Sequence, residues 1–319
     1  MTADSISVII PARDKATTIT RCVGSVVAAA ERSPGTELVL VENGSRDGTA
    51  ALARELFGAC LTIIPSRAGT AGEARNEGVR ASKGASLCFL DADVVVPLDF
   101  FERLTRLLAR FDGGAVGCTV SLPVDQSWIE RTWGQLHDRG ISGPTALLNG
   151  ACMALSRAAF ESVGGFRPEL TTGEDADLCL RLEEAGVTLF ESQELRVLHV
   201  DNPRTLGEFF RKEAWRGLGA LATVRRDRLD RPATLTLLHG LLLGIAVIIA
   251  IVSRLDLKSL LVALAMTQAV PLLAVAFRMA VAERPPSFLA SLALYQTYFL
   301  ARFWALIRIA SSRSGKSRA

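Results

Sequence analysis

Two aspartates one residue apart, Asp91 and Asp93, directly follow a short apolar run at residues 85–90. A buried strand that ends there places both carboxylates at the carboxyl end of a sheet, which is where open α/β folds bind ligands. Mg²⁺ and Mn²⁺ are commonly held by one or two carboxylates together with the phosphate oxygens of a substrate. The D-x-D triplet therefore predicts a site for a divalent cation and a diphosphate, and the alternative is an ordinary turn with two solvated acids.

Residues with turn-forming or hydrogen-bonding groups also follow the first two apolar runs of the chain: Pro11, Ala12, Arg13, Asp14, Glu42 and Asn43. At the end of a strand, Glu42 can accept hydrogen bonds from a nucleotide base or ribose, or it can cap the turn. Asn43 offers an amide that can hydrogen-bond a base. Arg75, near the expected start of a helix, has the planar donor fork that binds a base or a diphosphate, or it forms a surface ion pair.

The elements that must position these residues alternate along the first two hundred residues. Apolar runs predict strands at residues 6–10, 38–41, 61–64 and 85–90. Between and after them, the patterns predict helices at about residues 19–30, 49–57, 74–81 and 98–111. Strands that alternate with helices of this length predict an α/β fold with a doubly wound, mainly parallel sheet.

The last third of the chain has a different composition. Residues 235–252 and 259–277 contain no Asp, Glu, Lys or Arg, and each is close to the ~20 residues that span a bilayer. We therefore expect two transmembrane helices, and the alternative is a buried helical hairpin of a soluble protein. Residues 288–309 are long enough to cross but contain Arg302 and Arg308, so we expect an interfacial or partly inserted helix there.

Basic residues flank the two expected spans: Arg225, Arg226, Arg228 and Arg231 before the first, and Arg278 and Arg284 after the second. The positive-inside bias places such flanks on the cytoplasmic side, so residues 253–258 would form a short external turn. We expect no signal peptide before the first strand, because the chain passes from a polar start directly into a strand pattern. We therefore expect a cytoplasmic catalytic domain at residues 1–230 and a multi-pass region at residues 231–319 in the cytoplasmic membrane.

Charge, motifs and cysteines exclude several classes of function. A net charge of +3, with the basic residues clustered near the spans, does not indicate a nucleic acid partner. The chain has neither a G-x-x-x-x-G-K-[ST] loop nor a G-x-G-x-x-G after the first strand, which argues against an NTPase and a dinucleotide-dependent dehydrogenase. The six cysteines form no C-x-x-C pair, so reduced thiols that pack as small apolar side chains are expected.

Several segments together resemble the family 2 glycosyltransferases of the GT-A fold. They are the strand with residues 11–14, the V-E-N-G-S-R-D-G-T segment at 41–49, A-R-N-x-G at 74–78, the D-x-D at 91–93, G-G-F at 164–166 and E-D-x-D-L at 174–178. The resemblance runs to about residue 200 and implies a domain that binds a nucleotide-sugar through a divalent metal. The family usually has an aromatic residue and an asparagine at the positions of Arg13 and Asp14, and a second carboxylate at the position of Asn43. Because the chain departs from the family at these positions, the identity of the nucleotide base is less defined.

The resemblance also implies roles for single residues. Asp93 would bind Mg²⁺ or Mn²⁺, Asp91 would contact the ribose or the metal through water, and His199 would complete the coordination. Asp175 matches the acid that acts as general base toward the acceptor hydroxyl, with Glu174 as the alternative. The expected nucleotide-sugar contacts are Pro11, Ala12, Arg13, Asp14, Glu42, Asn43, Arg75 and Asp91. A base and a metal on opposite sides of the sugar favour a single displacement with inversion.

These observations predict a membrane-anchored, metal-dependent glycosyltransferase. Its expected donor is a nucleotide-sugar, with a UDP-sugar as the first choice, and its expected acceptor is a lipid or a lipid-linked glycan. The membrane anchor is the reason for that acceptor, because it raises the effective acceptor concentration. Three alternatives remain open: a polyprenyl-phosphate sugar synthase, a nucleotidyltransferase that attacks phosphorus, and a catalytically silent membrane scaffold.

Overall fold

The structure, a computed structural model, describes residues 5–137, 142–218, 231–282 and 284–316. The chain divides into two compact units. The first comprises Met1–Pro123 and Gly140–Asp201, and the second comprises Val124–Arg139 and Asn202–Ala319. The expected functional division into residues 1–230 and 231–319 remains a prediction.

The first unit is built on a sheet of nine strands in its described residues. They are β1 (Ile6–Ala12), β2 (Thr36–Glu42), β3 (Thr62–Pro65), β4 (Ser86–Leu90), β5 (Val94–Val95), β6 (Ala115–Ser121), β7 (Gly143–Pro144), β8 (Cys152–Ser156) and β9 (Leu189–His199). The strand order is β3-β2-β1-β4-β8-β6-β9-β5, and β7 pairs with β9. The pairs β1–β2, β1–β4, β2–β3 and β6–β9 are parallel. The α/β fold class is confirmed, and antiparallel pairing begins where β8 joins β4.

Helices of the first unit are α1 (Ile19–Ala30), α2 (Thr49–Phe57), α3 (Ala71–Arg80), α4 (Phe100–Arg110), α6 (Arg157–Ser162) and α7 (Glu174–Glu184). Helix α2 has the bounds that the sequence predicts. Helix α3 begins three residues earlier than predicted, because the side chain of Thr70 accepts a hydrogen bond from the backbone N–H of Glu73 and so caps the first turn.

Helices of the second unit are α5 (Trp128–His137), α8 (Leu206–Gly217), α9 (Arg231–Val252), α10 (Leu257–Val281) and α11 (Phe288–Lys316). Helix α8 begins with a capping box. The side chain of Thr205 accepts a hydrogen bond from the backbone N–H of Glu208, and the side chain of Glu208 accepts one from the backbone N–H of Thr205.

The sheet of the first unit buries side chains on both of its faces. Val8 and Ile10 of β1 belong to one apolar cluster, and Ile9 between them belongs to the other. Successive side chains of a strand point to opposite faces, so a strand covered on both sides needs an unbroken apolar run. Each such fully buried side chain contributes about 1.5–3 kcal/mol relative to an exposed one.

Helix α3 lies unusually close to the sheet because of a glycine. A Cβ at Gly78 would lie 3.0 Å from the Cγ2 of Val41 and would collide with Ile9. Only a residue without a side chain therefore allows this separation. The close approach also brings Arg75, one turn earlier in the same helix, toward the strand ends.

Helices α9 and α10 are long and apolar enough to cross a membrane. The most apolar 18-residue stretches of Pro232–Val252 and Leu257–Val281 have mean hydropathies of 2.7 and 2.2, and the two segments contain the spans expected at residues 235–252 and 259–277. Many of their apolar side chains are exposed, including Leu241 at 61%, Ile248 at 61% and Val252 at 76%. Contiguous apolar exposure of this kind is typical of a surface that another apolar medium covers.

Helix α11 extends beyond the predicted residues 288–309 and packs along other helices of its unit. Arg302 pairs with the buried Glu213 of α8 at 3.1 Å, and its guanidinium lies 4.6 Å from the ring centre of Tyr298. A Cβ at Gly217 would lie 2.9 Å from the Cβ of Ala305. The charge of Arg302 is thus neutralised inside the helix bundle, and the interfacial position of this helix remains a prediction.

The expectation of six reduced cysteines is wrong for one pair. Cys118 of β6 and Cys152 of β8 form a disulfide, with their Cα atoms 5.6 Å apart. The reason is the antiparallel pairing of β6 with β8, in which Gly117 faces Met153. The remaining cysteines are free thiols, of which only Cys60 is exposed.

Candidate functional site

The D-x-D triplet lies between β4 and β5, and backbone hydrogen bonds hold it from two sides. The N–H of Asp91 donates to the carbonyl of Ala151 at 3.0 Å, and the N–H of Val200 donates to the carbonyl of Asp93 at 3.0 Å. The first bond comes from the segment before β8 and the second from the end of β9. The positions of both carboxylates are therefore set by strands that are distant in sequence.

His199 reaches the triplet through the pairing of β5 with β9, in which it faces Val94. Asp91, Asp93 and His199 each offer one ligand atom, and these atoms lie within 4.8 Å of one another. Two carboxylates suit Mg²⁺ and Mn²⁺, and an imidazole nitrogen is an acceptable further ligand for Mn²⁺. The structure thus brings the three residues of the predicted metal site together.

One carboxylate oxygen of Asp93 has no hydrogen-bond donor among the described residues and indicates whether a cation fits this site. Oδ1 of Asp93 is buried and accepts no hydrogen bond from the residues that the structure describes. Nε2 of His199 lies 3.4 Å from it. A buried carboxylate oxygen without a donor is costly, and a divalent cation would satisfy it. The residues present therefore fit the metal that the sequence predicts.

Lys15 contacts the same carboxylate, and the sequence reasoning missed it. Its Nζ lies 2.7 Å from Oδ2 of Asp93 and 2.7 Å from Oδ2 of Asp201. Burial alone would lower the pKa of Lys15, but the two carboxylates outweigh burial and the pKa is raised. The ammonium group is therefore charged. The available signal was its position directly after residues 11–14, a segment already expected to bind the donor.

The residues expected to contact the nucleotide lie side by side, because β1 and β2 are parallel and Ala12 faces Glu42. The N–H of Asn43 donates to the carbonyl of Ala12 at 2.8 Å. Glu42 is buried, and its Oε1 accepts the N–H of Ser45 at 2.7 Å. Glu42 thus does cap the turn after β2, with one of its two oxygens. Pro11 lies beside Ala12 in the same strand.

Arg13 and Asp14 form the exposed edge of this region. Asp14 has a left-handed backbone with φ of 52°, and its Oδ1 accepts the N–H of Arg46 at 2.8 Å. Nearby, Asp47 accepts hydrogen bonds from the N–H and the hydroxyl of Thr49. These bonds lower the pKa of Asp47, the hydroxyl bond most of all. Both aspartates thus order the loops that follow β1 and β2.

Arg75 is buried between two acids rather than paired at the surface. Its exposed fraction is 3%, and its two terminal nitrogens each lie 2.7 Å from a carboxylate oxygen, one of Asp91 and one of Glu174. Burial would lower the pKa of Arg75, but Asp91 and Glu174 outweigh burial and the pKa is raised. The guanidinium therefore joins the D-x-D triplet to the E-D-x-D-L segment.

The A-R-N-x-G and G-G-F segments bind each other directly. The Asn76 side chain donates to the carbonyl of Phe166 at 2.7 Å and accepts the N–H of Phe166 at 3.0 Å. Gly165 has φ of +70°, and a Cβ there would lie 2.9 Å from Oδ1 of Asn76. Phe166 also lies under the guanidinium of Arg75, with 5.4 Å between the guanidinium carbon and the ring centre. These segments thus support the site by contact.

The two acids expected as the base have different partners. Glu174 is bound to Arg75, whereas Asp175 accepts the N–H of Gly150 at 3.1 Å and has no cationic partner among the ion pairs of the described residues. A Cβ at Gly150 would lie 3.1 Å from Oδ2 of Asp175, so a side chain there would crowd this carboxylate. Gly150 was not among the residues predicted from the sequence, although Asn149-Gly150 is a turn signal.

The chain is similar in sequence to known glycosyltransferases. A profile of the family described as "Glycosyltransferase like family 2" matches residues 3–218. Glycosyltransferase AglE of Haloferax volcanii is 26% identical over 246 residues, which are 75% of this chain and 80% of that protein. The pre-mycofactocin glycosyltransferase of Mycobacterium tuberculosis is 28% identical over 257 residues, which are 75% of this chain and 51% of that protein. The chain therefore spans about half the length of the second relative.

Solved structures show the same fold. Mannosyltransferase PcManGT from Pyrobaculum calidifontis, in complex with GDP-Man and Mn²⁺, aligns with a TM-score of 0.60 and 19% identity over 93% of this chain and 85% of that chain. GalNAc-T7 with UDP, GalNAc and Mn²⁺ aligns with a TM-score of 0.51 and 18% identity over 62% of this chain and 43% of that chain. The fold is GT-A.

Replacement of the buried guanidinium tests its role. Arg75→Met is expected to lower the free energy of unfolding by about 3–5 kcal/mol, because it leaves Asp91 and Glu174 without their counter-charge. Arg80→Met, at an exposed position in the same helix, is the control and should change the stability by no more than about 0.5 kcal/mol. Denaturant unfolding of the purified chain in detergent measures both. Equal effects of the two substitutions would contradict the structural role of Arg75.

Proposed function

The chain belongs to the glycosyltransferase-like family 2, and from that premise we propose that it transfers a sugar from a nucleotide-sugar to a lipid or lipid-linked glycan at a membrane. The observation that carries this proposal is the convergence of Asp91, Asp93 and His199 within 4.8 Å at the end of β4. A site of this composition suits a cation that also binds a diphosphate. A UDP-sugar is the first donor to test.

The proposed metal is Mg²⁺ or Mn²⁺, held by Asp93 and His199, with Asp91 bound directly, through water or to the ribose. When bound, the ion supplies positive charge that stabilises the leaving diphosphate. Arg75 keeps Asp91 in position by its ion pair. The Mn²⁺ present with two solved GT-A proteins supports the choice of metal.

Donor recognition is proposed for the loops after β1 and β2. Glu42 retains one oxygen that is not used by the turn after β2, and Asn43 follows it at the end of the strand. These groups would hydrogen-bond the base or ribose. Further contacts are proposed from residues of the neighbouring strand end and from α3: Pro11, Ala12, Arg13, Asp14 and Arg75.

Asp175 is the proposed general base. Its carboxylate takes the proton of the acceptor hydroxyl while the hydroxyl oxygen forms a bond to the anomeric carbon. The bond from that carbon to the diphosphate breaks in the same step, which gives inversion. Glu174 is less suited to this role, because its Oε1 already accepts a hydrogen bond from the guanidinium of Arg75 at 2.7 Å.

Membrane anchoring is supported by the exposed apolar faces of α9 and α10, which lie on helices long enough to cross a bilayer. A buried hairpin of a soluble protein would cover these faces. An anchor keeps the chain at lipid headgroups and so raises the effective concentration of a lipid acceptor. A polyprenyl-phosphate sugar synthase is a narrower form of the same proposal.

The first test is a donor screen with the full-length chain in detergent. We expect one member of a set of UDP-, GDP- and dTDP-sugars to release nucleoside diphosphate only when Mg²⁺ or Mn²⁺ is present. Asp93→Asn should abolish this release, because the site loses an anionic ligand, while Asp112→Asn, at an exposed site, should leave it unchanged. Metal-independent release, or release of pyrophosphate, would contradict the proposal. The unfolding temperature of each variant shows whether it is folded.

Asp175→Asn separates catalysis from binding. If the carboxylate takes the acceptor proton, kcat should fall by about 10²- to 10⁴-fold, and the donor Kd should stay unchanged because the base acts in the transition state. Glu183→Gln, an exposed acid of the same helix, is the control. Steady-state kinetics and a nucleotide-sugar titration measure the two quantities. Normal turnover would assign the base to Glu174, and loss of donor binding would make Asp175 structural.

Cysteine labelling tests the membrane topology. In a Cys60→Ser background, Ser253→Cys is expected to react with an impermeant maleimide in intact cells, because residues 253–258 lie in the external turn. In the protein without these substitutions, the native Cys60 is exposed in the first unit. It should react with the maleimide only after the membrane is opened. Ser311→Cys in α11 should behave like Cys60. Reaction of Ser311→Cys in intact cells would mean that α11 crosses the membrane.

A further inference from the structure

The ammonium group of Lys15 already neutralises the carboxylate that a metal ion would use. Its Nζ lies 2.7 Å from Oδ2 of Asp93 and 2.7 Å from Oδ2 of Asp201. The other oxygen of Asp93, Oδ1, has no hydrogen-bond donor among the described residues. A single carboxylate thus carries a lysine on one oxygen and is open to a cation on the other.

A divalent ion on Asp93 would lie close to this ammonium group. Mg²⁺ binds carboxylate oxygen at about 2.1 Å, and the two oxygens belong to one carboxylate, so the ion and Nζ would be no more than about 7 Å apart. Like charges at this separation repel strongly where the protein excludes water, and Asp93 is only 5% exposed. The ion therefore cannot bind at full strength while the ammonium stays in place.

The backbone of Lys15 is fixed, whereas its side chain can turn. The N–H of Lys15 donates to the hydroxyl of Thr49 at 2.8 Å, and the next N–H, that of Ala16, donates to Asp47 at 2.9 Å. The side chain is 25% exposed and has four rotatable carbons. The ammonium can consequently leave Asp93 without any movement of the loop.

A nucleoside diphosphate is the anion that would draw the ammonium away. The proposed metal binds the diphosphate, so phosphate oxygens must lie beside Asp93 and within reach of Lys15. Lysine binds phosphate well as a compact positive charge. Once the ammonium pairs with phosphate, the repulsion is offset by an anion and Oδ2 of Asp93 is released.

We propose that Lys15 competes with the divalent cation for Asp93, so that the cation binds tightly only together with a nucleoside diphosphate. This inference rests on the metal site of the proposed function. It assigns Lys15 as the residue that couples the two binding events. Such coupling is reciprocal, so the metal must raise the affinity for the diphosphate by the same factor.

The competition is tested by titration of Mn²⁺ into the full-length protein without nucleotide, with free Mn²⁺ measured by electron paramagnetic resonance. Lys15→Met should bind Mn²⁺ about 10-fold or more tightly than the wild type, within the usual range of coupling between sites. Lys15→Arg retains the positive charge and should keep the weak binding. Lys83→Met, which removes an exposed lysine, is the matched control, and Asp93→Asn defines binding that does not use the site.

The coupling is tested by the same titration with UDP or GDP present, after correction for the Mn²⁺ that the nucleotide binds in solution. At least one nucleotide should raise the Mn²⁺ affinity of the wild type by about 10-fold, and should raise that of Lys15→Met much less. Unchanged wild-type affinity with both nucleotides would overturn the coupling.

The outcomes separate this inference from the metal site itself. If the wild type and Lys15→Met bind Mn²⁺ with equal affinity, and if Asp93→Asn removes this binding, the competition is overturned and the metal site stands. Absence of Asp93-dependent binding in both proteins would remove the metal site and the inference together. If Lys15→Met does not fold, Lys15→Gln is used in its place. The glutamine amide is neutral but can still donate a hydrogen bond to Asp93. Thermal unfolding with and without Mn²⁺ gives a second measurement, in which Mn²⁺ should stabilise the variant more than the wild type.

Discussion

The site depends on one buried positive charge, the guanidinium of Arg75. Removing an ion from water costs several kcal/mol, and only close opposite charges with good geometry offset this cost. Asp91 and Glu174 supply those charges, each at 2.7 Å. The pairs form only if α3, the end of β4 and the start of α7 meet at one point. The A-R-N-x-G, D-x-D and E-D-x-D-L segments are therefore assembled around a single side chain.

Glycines make this convergence possible. A Cβ at Gly72 would lie 3.1 Å from Phe166 and 3.4 Å from Glu174, and one at Gly150 would lie 3.1 Å from Asp175. Gly78 brings α3 against the strands from the other side. At each of these glycines a side chain would crowd a neighbouring segment, and glycine allows the close approach.

The acids of the site are kept together by cations that each contact two of them. Arg75 joins Asp91 to Glu174, and Lys15 joins Asp93 to Asp201. Without these cations the like charges would repel one another. The open oxygen of Asp93 is what remains after this pairing, and it lies beside His199. The described acids of the site still outnumber these two cations, since Asp91, Asp93, Glu174 and Asp201 face only Arg75 and Lys15. The second unit also contains a buried acid whose charge is neutralised by cations. Glu213 is 1% exposed and pairs with Arg216 and Arg302.

The sequence by itself determined four strands and four helices up to about residue 111, the place of Asp91 and Asp93 at a strand end, the two apolar helices and the family. These features depend on local patterns, namely side-chain periodicity, turn residues and short motifs. Only the tertiary structure decided that Lys15 binds Asp93, that Gly150 binds Asp175 and that Cys118 binds Cys152. It also decided that β8 pairs antiparallel with β4 and that β9 pairs antiparallel with β5, and these two pairings bring Ala151 and His199 to the triplet. The physical reason is that each of these contacts joins residues that are distant in sequence through strand order and register, and neither is encoded in any one segment of the chain.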